Sequence, residues 1–406
     1  MCIRDRLSGI QPAVVLSAFQ PLNILKGNTF TKTNSKSKLR NTLVVVQFAC
    51  SVLLVIGTLT IMQQMDFIKQ SKLGYEKDHI FSFWTNSGEQ LLTLKNELEQ
   101  QASIEGVTIS NRNITDANGQ IGGFTYEGMP EGMEDYTSIY DINVSHNYKD
   151  FYGLALKEGR WFLPNDKDEA SVILNETAVD KLQLEDPIGK WIDLWGQRVT
   201  IVGIVKDFHF RSLHHPIEGL MFSNRPNYFY CSSVKTTAAN ATEAIAATEK
   251  VFKKLYPNNI FSYEFLDESF DKLYKRETRI SQIFQLFALL TLFLSCLGIF
   301  GLITYTAERR GKEIGIRKVL GASVFNIVQL LSSNFLKLIG IALVIALPIG
   351  WYLTKEWLNT FAYRMDMGWG LFGLTAILIL LIALATISVQ SIRAALINPT
   401  QTLKNE

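Results

Sequence analysis

Cysteine is scarce in this chain, with four residues among 406. Cys50 and Cys296 lie inside long apolar runs, and Cys2 is at the N-terminus. The polar stretch between those two runs therefore holds Cys231 alone. A disulfide framework needs several cysteines in the same compartment. The sequence thus excludes a small disulfide-stapled domain.

Motifs for catalysis and for nucleotide binding are also missing. The chain has no Gly-x-Ser-x-Gly and no His-Glu-x-x-His sequence, and the carboxylate pair of Asp267 and Glu268 fits a solvated helix face. A phosphate-binding loop needs Ser or Thr after Gly-Lys, but here the Gly-Lys pairs precede Trp191 and Glu313. We therefore expect no catalytic residue, no enzyme activity and no resident cofactor. Any ATP would have to be bound by a separate polypeptide.

One cluster could suggest a metal site: Asp207, His209, His214 and His215 lie close together in the sequence. Their spacing matches no standard zinc pattern. A loop after a strand also collects His and Asp for hydrogen bonding. We therefore expect no metal there, and a membrane-tethered hydrolase is the weakest of the functional hypotheses.

Charge is absent from three runs that reach the roughly 20 residues a helix needs to cross a bilayer: 41–65, 280–307 and 367–392. A fourth span, 323–354, requires Lys337 to extend toward the headgroups. Pro348 lies within it, and membrane helices tolerate proline. The first run is too long and starts too late to be a signal peptide. We predict a membrane protein with four transmembrane α-helices in a 1+3 arrangement.

The basic residues near these runs predict the orientation. Seven lie in 1–40 against one acid, Asp5: Arg4, Arg6, Lys26, Lys32, Lys36, Lys38 and Arg40. The loop after the second run is basic, whereas the long stretch between the first two runs has an excess of acids. Both termini are therefore expected in the cytoplasm.

This orientation gives a complete domain prediction. The predicted segments are a cytoplasmic segment 1–40, span 41–65, a periplasmic domain with a helical stalk 66–279, span 280–307, a cytoplasmic loop 308–322, span 323–354, a periplasmic turn 355–366, span 367–392 and a cytoplasmic tail 393–406.

The long outer segment has mixed patterns. Helices are predicted at 90–102 and 240–255, and at 264–279 as a stalk into the second span. The β-branched segment 198–206 predicts a strand, and 172–174 predicts a strand followed by a helix that Asn175 or Thr177 caps. The domain is therefore expected to be α+β.

The loop from Ala307 to Ser323 is charged yet contains regularly spaced apolar residues. If 309–320 is helical, Glu313 and Arg317 share a face, with an apolar ridge beside them. Gly321 is placed to end that helix, and Ser323 to cap the next one. Positive-inside anchoring alone would explain the charges, but not the apolar residues. We favour a docking helix whose candidate residues are Glu308, Arg309, Arg310, Lys312, Glu313, Ile314, Ile316, Arg317, Lys318, Val319 and Leu320.

The run from Arg310 to Ser323, Arg-Gly-Lys-Glu-Ile-Gly-Ile-Arg-Lys-Val-Leu-Gly-Ala-Ser, resembles the MacB/FtsX-type permeases of ABC transporters, as does the 1+3 layout. Further segments resemble the MacB-type periplasmic core domain in the form common among Bacteroidetes-like permeases: 151–160, 175–177, 186–190, 202–210 and 361–364. The resemblance covers nearly the whole chain from Leu7 onward.

The resemblance implies a permease subunit of a bacterial inner membrane. Its expected partners are the bilayer, a second permease unit and a cytoplasmic ABC ATPase bound at the charged loop, with a periplasmic adaptor and an outer-membrane channel as further candidates. Movement of that loop would be relayed to the outer domain, for export or envelope processing of antimicrobial, peptide or lipoprotein-type substrates. Nucleic acid is not expected as a partner. The alternative is a membrane-anchored receptor or scaffold that binds a ligand without nucleotide energy.

A short internal repeat adds a further expectation. Pro21 to Lys26 and Pro399 to Lys404 share the pattern Pro-x-x-x-Leu-Lys, and the second copy follows a membrane span. Residues 7–26 are therefore interpreted as the tail of a missing upstream repeat, and 1–6 as a sequence-assembly artefact. The alternative is coincidence and a genuine short start.

Overall fold

The structure is a computed structural model that describes residues 33–85, 88, 90–115, 117–130, 138–164 and 168–396. The proposed repeat at Pro21 and Pro399 lies outside these residues. The chain divides into two compact units. The helical unit is formed by the described parts of 1–59, 283–354 and 368–406, and the outer unit by those of 60–282 and 355–367.

Ten α-helices occur in the described residues: α1 Thr33–Gln70, α2 Leu91–Glu99, α3 Tyr148–Tyr152, α4 Glu176–Lys181, α5 Ala241–Leu255, α6 Leu266–Lys272, α7 Lys275–Arg309, α8 Gly311–Val319, α9 Val324–Leu358 and α10 Trp369–Leu396. Four of them, α1, α7, α9 and α10, are long and apolar enough to cross a membrane. One precedes the outer domain and three follow it, so the predicted 1+3 arrangement is confirmed.

The long helices bury small polar side chains against one another and leave large apolar ones exposed. Within the helical unit, the hydroxyls of Ser51 and Ser295 are 3.3 Å apart, and Gln390 Nε2 donates to Thr304 Oγ1 at 2.7 Å. Leu286 and Phe293 are more than half exposed. Such outward apolar surfaces fit lipid contact, because hydrocarbon replaces water around them.

The strands of the described residues form two sheets: β1 Ile80–Trp84, β2 Gly106–Ser110, β3 Gln120–Gly122, β4 Thr125–Tyr126, β5 Ser138–Asn143, β6 Leu156–Gly159, β7 Ser171–Asn175, β8 Trp191–Leu194, β9 Gln197–Val205, β10 Leu220–Ser223, β11 Cys231–Lys235 and β12 Tyr263–Phe265. The first sheet has the order β12-β1-β11-β2, with all neighbours antiparallel. With α2 after β1 and α5 after β11, this is the split β-α-β arrangement of a ferredoxin-like lobe.

The core of this ferredoxin-like lobe joins its sheet to α2 and α5. Phe83 of β1 packs edge-on against Phe252 of α5, with ring centroids 5.7 Å apart. Leu94 and Leu98 of α2 are fully buried in the same cluster. Aromatic pairs of this geometry add to the free energy of apolar burial, so the lobe has a core of its own.

The second sheet is inserted between β2 and β11 of the first lobe. Its order is β3-β5-β10-β7-β9-β8-β4, and β6 also pairs with β9. It mixes parallel and antiparallel pairs: β7 runs parallel to β9, and β10 parallel to β5. The chain therefore enters the inserted lobe after Ser110 and returns to the ferredoxin-like lobe before Cys231. Because Ser110 and Cys231 are paired between β2 and β11, the two crossings lie side by side.

Several local predictions match the outer unit. The strand predicted at 198–206 is β9, the helices predicted at 90–102 and 240–255 are α2 and α5, and the domain is α+β as expected. Asn175 is the cap of α4, since its Oδ1 accepts from the Ala178 backbone N–H at 3.0 Å. These features depend on residues that are close together in the sequence, so a sequence pattern can predict them.

The stalk predicted at 264–279 is helical over most of its length, but it is not a continuous helix. Glu264 lies in β12, which pairs with β1, and the chain then forms α6, breaks at 273–274 and starts α7 at Lys275. The break coincides with Tyr274, a buried residue whose hydroxyl accepts from the Leu213 backbone N–H at 2.8 Å. The pairing of β12 with β1 and the Tyr274–Leu213 hydrogen bond therefore interrupt the predicted helix.

Candidate functional site

The candidate docking segment is a separate short helix, α8, between α7 and α9. The backbone N–H of Arg310 still donates to Thr306 at 3.0 Å, and its carbonyl accepts from Ile314 at 2.9 Å. Arg309 is the last residue of α7 and α8 begins at Gly311, so the helix predicted over 309–320 starts two residues before the observed one. Arg310 is the joint between the two helices.

An ion pair stabilises α8. Arg317 Nη2 lies 2.9 Å from Glu313 Oε1, and both side chains are about half exposed, 48% and 42%. A solvated pair four residues apart contributes only about 0.3–0.5 kcal/mol. Its main effect is to orient the Arg317 guanidinium along the helix while leaving it accessible.

The apolar residues of α8 divide between two faces. Ile316 is 55% exposed and Leu320, just after the helix, is 80% exposed. Ile314, another of the candidate docking residues, is only 7% exposed. Residues two apart on a helix point to nearly opposite sides, because each residue turns by about 100°. Ile314 anchors the helix, whereas Ile316 and Leu320 offer apolar surface.

The remaining candidate residues are only partly described. Glu308 is exposed and Arg310 is half-buried. The side chains of Arg309, Lys312, Lys318 and Val319 lie outside the described part of the structure.

The end of α8 has the predicted stop and cap. Gly321 has φ = 89°, a left-handed conformation that glycine adopts without a steric cost. The Ala322 N–H then donates to the Arg317 carbonyl at 2.9 Å. Ser323 Oγ accepts from the Asn326 N–H at 3.3 Å and caps α9. The turn therefore fixes the end of α8 between two long helices.

A second group of residues, which the sequence alone did not reveal, joins the turn after α9 to the outer unit. Gln64 Nε2 donates to the Tyr363 carbonyl at 3.1 Å, and Gln64 Oε1 accepts from the Met365 N–H at 2.9 Å. The backbone N–H groups of Ala362 and Tyr363 donate to the carbonyls of His214 and Leu213. We call the contacts of 360–365 with Gln64 and with 213–217 the turn clamp.

Aromatic packing completes the turn clamp. His214 stacks on Phe361 with ring centroids 3.9 Å apart, and its Nε2 lies 3.4 Å from Glu277 Oε1 in α7. Trp357 packs edge-on against Phe361 at 5.0 Å, and α9 reaches Leu358, beyond its predicted end at 354. Only the segment 361–364 had been singled out, as part of a resemblance. Two of its partners, Gln64 and His214, lie more than a hundred residues away in the sequence.

The His–Asp cluster is divided among structural roles. Asp207 accepts hydrogen bonds from Asn175 Nδ2, the Thr177 N–H and Thr177 Oγ1 at 2.8, 3.0 and 2.7 Å, and thereby holds the start of α4. His209 packs edge-on against Tyr363 at 4.5 Å, in the turn clamp. Burial lowers the pKa of His209, and the nearby Asp207 opposes that shift only in part.

Grouped metal-ligating side chains are also absent from the described residues: no three His, Cys, Asp or Glu converge there.

Two family models match this chain and together cover both of its parts. Residues 42–251, just over half of the chain, match the MacB-like periplasmic core domain. Residues 285–399 match the FtsX-like permease C-terminal domain.

Two proteins with similar sequences carry names of ABC transporter components. An uncharacterized ABC transporter permease of Methanocaldococcus jannaschii is 25% identical over 336 residues, 78% of this chain and 80% of its own length. The macrolide export ATP-binding/permease protein MacB of Neisseria meningitidis is 28% identical over 211 residues, which is 47% of this chain and 31% of that protein. The match thus spans about a third of the length of MacB.

A solved structure is similar to the outer part. The crystal structure of the periplasmic region of MacB from Actinobacillus actinomycetemcomitans matches 52% of this chain and 98% of its own, with 18% identity and a TM-score of 0.37.

The family-model matches agree with the order of the elements, in which one membrane-spanning helix precedes an α+β domain and three follow it. The chain is therefore a multi-pass membrane protein with an extracytoplasmic domain, and it belongs to the MacB/FtsX-like family of ABC transporter permeases.

Proposed function

We propose that this chain is the membrane subunit of an ABC transporter of the mechanotransmission type, in which α8 receives a separate ATPase on the cytoplasmic side. The observation that carries the proposal is the exposed pair of Ile316 and Leu320 beside the oriented Arg317, on a short helix fixed between two spanning helices. Apolar side chains beside an arginine are typical of the centre of protein interfaces.

Each end of α8 favours its use as a lever. The Arg310 joint continues the hydrogen bonding of α7, and the Gly321 turn leads directly into the capped start of α9. A push on Ile316 would therefore move both spanning helices. ATP is bound by the partner subunit, so the permease itself needs no cofactor.

The turn clamp is the proposed point of output. α9 ends in a turn that is hydrogen bonded to Gln64 and stacked on His214, both within the outer unit. Displacement of α9 would thus pull on the segment 213–217 rather than on a free loop. In this scheme the outer domain moves with the ATP cycle, and its substrates are antimicrobials, peptides or lipoproteins handled outside the bilayer.

The proposed setting is a bacterial inner membrane with both termini in the cytoplasm. A second permease unit would complete the two-fold arrangement that a pair of ATPase subunits needs, and a periplasmic adaptor with an outer-membrane channel would extend it. Single cysteines at 320 and 260 test the orientation with a membrane-impermeant maleimide. We expect labelling at 260 in spheroplasts and at 320 only after permeabilisation; the reverse pattern would refute it.

The docking role is tested by co-purification with an ATPase encoded nearby. Replacing both Ile316 and Leu320 by Asn should abolish ATPase recovery, because it removes the apolar contact without changing charge. The matched control is Ile260→Asn, since Ile260 is 91% exposed in the outer unit. Equal recovery from both variants would reject docking at α8.

A charge swap separates docking from helix stability. Arg317→Glu places like charges at 313 and 317, whereas Glu313→Arg combined with Arg317→Glu restores an ion pair in reverse order. If Arg317 contacts the ATPase, both variants should lose it. Recovery of the ATPase with the double variant would mean that Arg317 acts only by stabilising α8.

A further inference from the structure

The two crossings between the lobes of the outer unit border a cavity of about 530 Å³. One wall is formed by residues 111–113, directly after β2, and another by residues 225–230, directly before β11. The tip of the β8–β9 hairpin and β5 close the remaining sides. This volume is in the range of small-molecule sites.

Aromatic side chains form the rim of this inter-lobe cavity. Trp84, Trp195, Tyr228 and Tyr230 line it and are between 40% and 65% exposed. Trp195 also has φ = 57°, in the tight turn between β8 and β9. A bulky side chain in that conformation costs about 1 kcal/mol or more. The fold therefore holds a strained, exposed tryptophan at the mouth of the cavity.

Two of the residues that line the cavity carry buried hydrogen-bond donors without acceptors. The Nε and Nη2 atoms of Arg225 are buried and have no partner among the described residues, and neither has Nδ2 of Asn113, which is 2% exposed. Each such donor costs about 1–3 kcal/mol, and more when the group is charged. Native proteins satisfy most buried polar groups, so a cluster of three donors around one cavity calls for an acceptor.

The charge of the cavity favours an acceptor with a single negative charge. Arg112 and Arg225 line it together with Asp141. Burial raises the pKa of Asp141, while a hydrogen bond from Ser223 and the two arginines oppose that shift. Two guanidinium groups and one carboxyl leave a net charge of about one when the carboxyl is ionised. That matches a carboxylate better than a dianionic phosphate.

We propose that this inter-lobe cavity binds a small ligand through a carboxylate, held by the Nε–Nη2 edge of Arg225 and by Asn113, with a ring or apolar group of the ligand against Trp195. The Arg225 edge offers two parallel donors, the geometry that pairs with the two oxygens of a carboxylate. A peptide C-terminus and an acidic sugar both present this chemistry. The cavity lies within the outer unit alone, so its binding does not depend on an ATPase.

The test uses the full chain in nanodiscs and two probes that differ in one group, N-acetyl-tryptophan and N-acetyl-tryptophanamide. By calorimetry or saturation-transfer NMR, we expect the acid to bind at least about tenfold more tightly than the amide. Equal binding of the two would overturn the proposal. So would the absence of binding at the solubility limit, which would mean that the cavity holds only water.

Variants assign the contact. Arg225→Gln should lower affinity for the acid to that of the amide, and Trp195→Ala should weaken both probes alike. The control is Arg198→Gln, whose guanidinium lies over Trp191 at 4.5 Å and does not line the cavity. Unchanged binding by Arg225→Gln, or an equal loss in the Arg198 control, would overturn the assignment.

A loss of folding can be told apart from a loss of binding. The two orphaned Arg225 atoms make no protein hydrogen bond, and the substitution removes only the favourable charge of Arg225 near Asp141, so Arg225→Gln should lower the thermal midpoint slightly at most. A marked decrease in the midpoint would show a structural role and count against the proposal.

The source of the carboxylate is resolved by comparing Gly-Gly-Trp with glucuronic acid in the same assay. Binding of either, in addition to that of N-acetyl-tryptophan, supports the proposal, and the tighter one identifies the ligand class. Tighter binding of phenyl phosphate than of N-acetyl-tryptophan would overturn the preference for a single charge.

Discussion

Gln64 and Tyr363 are 299 positions apart in the sequence and are joined by a hydrogen bond of 3.1 Å from the Gln64 side chain to the Tyr363 carbonyl. The same amide accepts from the Met365 N–H at 2.9 Å and is fully buried. One glutamine of α1 therefore holds the turn between α9 and α10 at two nearby backbone groups. In the proposed mechanism this amide links the first spanning helix to the last pair.

Gln64→Leu should release the turn clamp. The substitution leaves the Tyr363 carbonyl and the Met365 N–H without partners, at a cost of about 1–3 kcal/mol each. We expect faster hydrogen exchange at the Met365 amide and a lower thermal midpoint. Gln63→Leu is the control, because Gln63 is exposed in the same helix. Unaltered exchange at Met365 would argue against the clamp.

Asp168 should make the outer unit sensitive to acid. Both of its oxygens accept from Arg160 at 2.8 Å, and this ion pair is the largest cause that lowers the pKa of Asp168 from 3.8 to about 2. A lowered folded-state pKa contributes stability above the unfolded value, of order 2 kcal/mol, and that stability is lost as pH falls from about 4 through about 2. Unfolding midpoints measured across this range should fall.

The Asp168→Asn variant should be less stable at neutral pH and show a flatter acid limb. Asp180→Asn, at an exposed position, should reproduce the native profile. If the unfolding midpoint of Asp168→Asn fell with pH as steeply as that of the native protein, the acid sensitivity would arise from other groups.

His209 should give a second, separate pH dependence. Its pKa is lowered by burial, so the neutral ring is favoured in the folded protein. A lowered histidine pKa contributes stability above about 6.5, and that stability declines as pH falls through the folded-state value. We expect the hydrogen-exchange protection factors of the amides of 361–365 to decrease as pH falls below about 6.5, since His209 packs on Tyr363.

His209→Phe keeps an aromatic ring against Tyr363 and removes the titration, so it should abolish this change in protection. Asp168→Asn should retain it, because its window lies at lower pH. A native response in His209→Phe would exclude His209 as its source.

Gly203→Ala should destabilise the inserted sheet. A Cβ there would lie 2.1 Å from the carbonyl oxygen of Arg160, which directly follows the end of β6 where β6 pairs with β9. The strands would have to separate and lose the Arg160 N–H to Val202 hydrogen bond, at a cost of several kcal/mol, on the order of other severe overpacking. Gly106→Ala, whose nearest contact would be Phe151 at 3.7 Å, should be nearly neutral by denaturant unfolding. Similar midpoints for the two variants would contradict the crowding.

Sequence patterns predicted the parts of this structure that depend on neighbouring residues. Runs without charge predicted three of the spans, and a run with Lys337 as its only charge predicted the fourth. β-branched residues predicted β9, and Gly321 with Ser323 predicted the turn after α8. The resemblance identified the family that the two family models match. Each of these features has its cause within a few turns of helix or a few residues of strand.

Predictions failed where a distant contact overrides the local pattern. The 264–279 segment is helical by composition, but pairing of β12 with β1 and the Tyr274–Leu213 hydrogen bond interrupt it. Ile314 and Ile316 are equivalent in the sequence pattern, but Ile314 is buried and Ile316 is exposed.

The sequence by itself determined that this is a four-span membrane protein with an α+β outer domain and a charged helix between two spans. Only the tertiary structure decided that one lobe is inserted in the other, that Gln64 reaches Tyr363, and that Arg225 and Asn113 meet in one cavity. The reason is physical: hydrophobic periodicity and capping act over a few residues, whereas a hydrogen bond between distant segments exists only after the whole chain has packed.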